Sequence, residues 1–89
     1  MSTVFIALQA NEETRPIIEA IEIDNPQAVV HRQPAMVKID AQGRLVIRRA
    51  TIEEQLGRDF DLQEIHINLI SLTGHVVEDD ETLTLSWND

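Results

Sequence analysis

Residues 35–49 read AMVKIDAQGRLVIRR. Val37 and Ile39 alternate with Met36, Lys38 and Asp40. After the break Asp40-Ala41-Gln42-Gly43, Leu45 and Ile47 alternate with Arg44, Val46 and Arg48. A period of two on both sides of a break is the pattern of half-buried strands. Asp40 suits the first position of a type I turn, and Gly43 the left-handed position that closes a bulged hairpin. The stretch predicts a β-hairpin. Val37, Ile39, Leu45 and Ile47 would face a core, and Lys38, Asp40, Arg44 and Arg48 would face water.

The remaining elements follow in order. Residues 3–8 (TVFIAL) predict an opening strand with so little polarity that it must be central or covered on both faces. NEETRPIIEAIEIDNP predicts a helix. Pro16 fits only near its start, and either Asn11 or Thr14 can cap it. Ile17, Ile18 and Ile21 share a face, Glu19 and Glu22 point to water, and Asp24-Asn25-Pro26 ends the helix. Residues 28–31 predict a short strand, broken by Pro34. In TIEEQLG, Thr51 and Glu54 have capping-box spacing, Ile52 and Leu56 lie one turn apart, and Gly57 suits the stop. Phe60 anchors the loop that follows.

Residues 64–72 (EIHINLISL) predict a strand with Ile65, Ile67 and Leu69 on one side. His66, Asn68, Ile70 and Leu72 lie on the other, which changes from polar to apolar, as it would if its far end were docked. Thr73-Gly74 marks a turn or bulge, residues 78–81 an acidic loop, and residues 82–87 a closing strand with Leu83, Leu85 and Trp87 together. The order is β-α-β-β-β-α-β-β. The expected class is α+β: a single small domain over residues 1–89, mainly antiparallel, with two helices packed on the strands.

Composition narrows the function classes. The chain has 89 residues, 43% hydrophobic but only 3% aromatic, so its one core is aliphatic and it has no stacking platform for single-stranded nucleic acid. Sixteen acidic residues against seven basic ones give a net charge of −9, which repels phosphate backbones and anionic membranes. No apolar run approaches a bilayer span. The absence of cysteine removes thiolate nucleophiles, disulfides and all-cysteine metal sites, and makes the cytoplasm the expected location.

Catalytic equipment is not visible. Glu-x-x-His, the spacing that sets a carboxylate and an imidazole on one helix face, does not occur. His31, His66 and His75 fall on expected strands or a turn, where an isolated histidine is ordinarily a surface residue. The acidic run 78–81 lacks the alternating ligands, mid-loop glycine and distal glutamate of an EF-hand. Ser2, Ser71 and Ser86 have no nucleophile-elbow context, and the three glycines are isolated. By elimination, the residues point to a binding or regulatory role without naming a partner.

NEETRPIIEAIEIDNP, PAMVKIDAQGRLVIRR, TIEEQLGRDFDLQEI and the final LSWND together resemble the regulatory (coupling or effector) proteins of bacterial multicomponent monooxygenases, most nearly the phenol hydroxylase branch. The likeness runs over nearly the whole chain and keeps the order of elements. It implies a protein with no cofactor that binds the oxygenase component carrying a di-iron centre and couples NADH oxidation to hydroxylation. From the methane monooxygenase branch it also implies a partner-facing stretch at Asn68-Leu69-Ile70-Ser71-Leu72-Thr73-Gly74. Asn68, Ser71 and Gly74 match there, whereas Leu72 replaces a hydroxyl residue. Partner-binding candidates are therefore Asn68, Ser71, Leu72, Thr73, Gly74, His75 and Met36, weighed against the plain reading of Asn68 and Ser71 as ordinary strand residues. The basic cluster Arg44, Arg48 and Arg49 is either a second contact or a solvated face that balances nearby acids. Two other classes stay open: a small-molecule-binding regulatory domain of another system, and a cofactor-free isomerase or lyase. Weak self-association is compatible with all three.

Overall fold

The computed structural model describes residues 2–87. In chain order its elements are β1 (Thr3–Gln9), α1 (Arg15–Asp24), β2 (Val29–Arg32), β3 (Met36–Gln42), β4 (Arg44–Arg48), α2 (Arg49–Leu56), a 3-10 helix (Leu62–Ile67), β5 (Leu69–Thr73), β6 (His75–Glu78) and β7 (Thr82–Ser86). The expected α+β order is present, with the 3-10 helix and the short strand β6 in addition. The strands form two antiparallel sheets, β2-β3-β1-β5 and β4-β7-β6. Apolar β1 is central in the first, with Val4, Ile6, Ala7 and Leu8 all buried.

The residues expected to face the core do so: Val37, Ile39, Leu45 and Ile47 are each 5% exposed or less. The expected hairpin is not formed. β3 lies between β2 and β1, so both of its edges are occupied and none is left for β4. β4 instead pairs with β7 in the other sheet, Leu45 opposite Leu85 and Ile47 opposite Leu83. Alternation assigns side chains to a face but does not choose the neighbouring strand. Gly43, at φ +76°, turns the corner between the sheets, and its N–H donates to the Ser2 carbonyl at 2.7 Å. Gly74, at φ +106°, makes the equivalent corner from β5 to β6.

The helices also differ from expectation in detail. Thr14 is the N-cap of α1, and Asn11 supports it: Asn11 Oδ1 accepts from the Thr14 N–H at 3.0 Å, while Thr14 Oγ1 accepts from the Asn11 N–H at 3.1 Å. Thr14 is fully buried, and its hydroxyl donates to the Gln9 carbonyl at 2.7 Å. Thr51 does not cap α2. That helix begins three residues earlier, directly from β4 with Arg48 at the N-cap, and leaves Thr51 inside it; Gly57 ends it in the left-handed conformation at φ +74°.

A capping box of the same spacing does form at Asp61 and Glu64, and it opens the 3-10 helix in place of the first half of the expected strand. Leu62, Ile65 and Asn68 recur every third residue and are all buried, the period of a 3-10 turn. Ile67, expected beside Ile65, is 71% exposed.

Asn25 closes one edge. Its Nδ2 donates to the Ile21 carbonyl, capping α1, and to the Val46 carbonyl at 2.6 Å; its Oδ1 accepts from the Val46 N–H at 2.9 Å. A side-chain amide thus stands in for a neighbouring strand on the outer edge of β4, which blunts an edge open to association. One aliphatic cluster fills the space enclosed by the sheets and α1, joined by Ile52, Phe60, Leu62 and Ile65.

The two corner glycines are predicted to differ in cost. A Cβ at Gly43 meets nothing within 4 Å, so Gly43→Ala costs about 1–2 kcal/mol for the left-handed backbone alone. At Gly74 it would approach Val4 Cγ1 to 2.9 Å and the Ser86 backbone to 3.3 Å. Gly74→Ala is expected to cost about 2–4 kcal/mol, and equilibrium urea unfolding of both variants compares the two.

Candidate partner-binding surface

The first sheet has a core face and an open face. Period two and the strand register put Val4, Ile6, Leu8, Val37, Ile39 and Leu72 on the core side. The opposite face carries Phe5, Ala7, Met36, Lys38, Asp40, Ser71 and Thr73. Asp40 organises the polar part of it: its Oδ2 lies 3.0 Å from His31 Nε2 and its Oδ1 3.5 Å from Lys38 Nζ. Lys38 Nζ also sits 4.5 Å from the centroid of the Phe5 ring, shielding it.

The candidates divide across this frame. Ser71 is exposed opposite Ala7, Thr73 lies opposite Phe5, and Met36 lies opposite Gln9 at the far end of β1, so these three share the open face. Thr73 is tied in, because its Oγ1 accepts the Phe5 N–H at 3.1 Å. Leu72 faces the other way and packs against the core cluster. Gly74 forms the corner, and His75 lies beyond it in the second sheet, edge-on to Trp87 with ring centroids 5.9 Å apart. The Trp87 indole N–H donates to the Thr3 carbonyl at 3.0 Å.

Asn68 is 7% exposed, and its Oδ1 accepts from Asn11 Nδ2 at 2.9 Å. It clamps the start of β5 to the loop before α1. Ile67 and Ile70 are not among the candidates, although Ile70 lies on the face whose far end was expected to be docked. The register between β1 and β5 shifts after Ala7, leaving Ile70 bulged and 48% exposed. The sequence carried no signal for the exposure of Ile67, because alternation grouped it with Ile65 and Leu69.

The basic cluster splits. Arg49 is engaged with Glu81 at 2.7 Å and Glu53 at 3.8 Å. Arg44 and Arg48 have no carboxylate partner among the described residues, unlike Arg15, Arg32, Lys38 and Arg58.

Residues 2–86 match the family model described as MmoB/DmpM. The chain belongs to the MmoB/DmpM family. It is 49% identical over 88 residues to the phenol 2-monooxygenase stimulatory component DmpM of Pseudomonas sp. (strain CF600), spanning 99% of this chain and 98% of that protein. Its fold superposes with TM-score 0.93 and 52% identity on a chain of a solved phenol hydroxylase–regulatory protein complex, covering 98% of this chain and 100% of the other. The soluble methane monooxygenase regulatory protein B shares the fold at TM-score 0.76 and 24% identity, with 97% of this chain matching 65% of that one.

The acidic loop expected at 78–81 lies on an open depression of about 780 Å³ between α2, the 3-10 helix and β6. Among the described residues, no group of three or more acidic or histidine side chains is arranged to hold a metal ion. The loop is shaped by its own backbone. Asp79 Oδ1 accepts the Thr82 N–H at 2.9 Å and the Glu81 N–H at 2.8 Å, and these bonds, Thr82's first, hold its carboxyl below the usual range. A carboxyl lowered in the fold contributes stability fully above its unfolded pKa, about 3.9. That contribution is lost as pH falls through the lowered folded value. Asp79→Asn is therefore predicted to flatten the acid limb of the stability profile below about pH 4, as measured by denaturant midpoints across acidic buffers.

Proposed function

We propose that this chain is the cofactor-free regulatory component of a phenol or related aromatic monooxygenase. It binds the hydroxylase component, whose own subunit houses the di-iron centre, and promotes efficient, coupled NADH-dependent hydroxylation. The supporting observation is the near-full-length likeness, at about half identity, to a phenol 2-monooxygenase stimulatory component and to a chain of a phenol hydroxylase–regulatory protein complex. Such a protein acts as an allosteric ligand, and it shifts the hydroxylase only by binding one of its conformations better than another. A coupling of about 1–3 kcal/mol suffices. The cytoplasm is the compartment that fits an NADH-dependent system.

On this reading, contact centres on β5 and its approaches. Ser71, Thr73 and Met36 meet the hydroxylase from the open face, with His75 beyond the corner. Gly74 and Leu72 set the course of the strand, and Asn68 holds its start. NADH-dependent phenol hydroxylation by a phenol hydroxylase and its reductase, with and without this protein, tests the function. Added protein is expected to raise the product rate and bring NADH consumed per product towards one, with less peroxide. No change in rate or coupling would remove the functional assignment. Ser71→Arg is expected to lower the stimulation at limiting protein about tenfold while leaving the thermal midpoint unchanged, since a rim charge placed in a contact weakens binding without touching the core.

A further inference from the structure

A second concavity, of about 260 Å³, lies between the start of α1, the end of α2 and the 3-10 helix. Ile17, Leu56, Phe60 and Ile67 give it apolar walls, and Glu12, Glu13, Glu64 and Arg58 join the lining, Arg58 lying 3.8 Å from Glu64. Asn68 lines it, although it is 93% withdrawn from solvent, being 7% exposed.

The orientation of the Asn68 amide is fixed by a chain of bonds. The Thr14 N–H can only donate, so the atom of Asn11 that receives it at 3.0 Å is the oxygen. Asn11 therefore presents its nitrogen to Asn68 at 2.9 Å, and the Asn68 atom that accepts is its oxygen. What remains is Asn68 Nδ2. It finds no acceptor among the described residues, yet it is not sealed inside the fold. The donor therefore reaches only water in the free protein, and a carbonyl brought into the groove can take that water's place.

We propose that this groove receives one apolar side chain of the hydroxylase, and that Asn68 Nδ2 donates to the main-chain carbonyl beside it. The proposal rests on the regulatory reading above. A protein segment is the occupant that matches all the groups present. The walls take an apolar anchor, the donor takes a carbonyl, and Glu12, Glu13 and Glu64 outnumber Arg58, so the lining favours a basic neighbour. Glu13 has no cationic partner among the described residues, and Glu12 has only Arg15 at 3.5 Å. The groove also adjoins the candidate surface, because Asn68, which lines it, directly precedes β5. An anchor side chain in a desolvated pocket is the usual form of an interface hot spot.

The test uses the full chain with a phenol hydroxylase and its reductase. Asn68→Asp keeps an oxygen towards Asn11 and replaces the donor with a second acceptor. Ile67→Glu puts a charge on the groove wall at a position too exposed to affect folding. Both are expected to raise the half-saturating concentration for stimulation about tenfold, with the maximal rate recovered at excess protein and the thermal midpoint retained. If wild type stimulates and Ile67→Glu and a folded Asn68→Asp saturate as wild type does, the groove proposal is overturned and the regulatory function stands. If wild type neither binds nor stimulates, both fall. If Asn68→Asp does not fold, Ile67→Glu decides alone.

Discussion

The structure depends on the burial of β1. With two Phe and one Trp in the chain, the core is built from aliphatic side chains, and these exclude water only when walled in on every side. β1 has a strand on each edge, and the chain then folds over its core face twice, through Gly43 and through Gly74. Both corners close on the start of β1 or the residue before it. The Gly43 N–H reaches the Ser2 carbonyl, and Gly74 lies against Val4 and the Ser86 backbone. The Trp87 indole adds a third tie at Thr3. The second sheet is thus the lid that an aliphatic core of this size requires, and glycine is what lets a strand end in one sheet and resume in the other.

Three asparagines do work that backbone pairing does elsewhere. Asn25 joins the end of α1 to the outer edge of β4, and Asn11 and Asn68 join the start of α1 to the start of β5. Each bond links segments distant in sequence, so the helix is fixed to both sheets at its two ends. The consequence is that one face of the first sheet needs no covering element. That face stays open and polar while the strands beneath it are held from the other side.

How much of this was legible follows from what periodicity can encode. Core-facing positions of β3 and β4 were readable because a period of two fixes a face. Their partners were not, because the choice depends on which edges remain free once β1 and β2 have each paired with β3. The Thr51–Glu54 spacing failed as a cap because β4 runs straight into α2, while the same spacing at Asp61–Glu64 succeeded where a loop preceded it. The run from Ile65 to Leu69 alternates, yet it also carries Leu62, Ile65 and Asn68 at intervals of three, and the buried set is the second. β6 was hidden because Val76 and Val77 are both largely exposed, at 43% and 65%, and give no amphipathic signal. Among the candidate residues, Ser71, Thr73 and Met36 fall together on one face. Asn68 reads as an ordinary polar residue until Asn11, 57 positions away, is seen to take up its oxygen.

A regulatory ligand must bring affinity without losing it to its own ordering. Binding immobilises side chains and loops, and each that must be ordered subtracts from the free energy available to favour one partner conformation. In this fold the ordering has been done in advance. Asp40 holds both His31 and Lys38, the Phe5 N–H holds Thr73, and the Asn11–Asn68 bond ties the residue before β5 to the loop before α1. The exposed Ile67 and Ile70 stand on that fixed base. On the proposed contact, what little the surface offers in apolar area is presented in one geometry, so its contact energy would go into discriminating between partner states. Stabilising interactions confined to the fold's own side thereby become part of the regulatory mechanism.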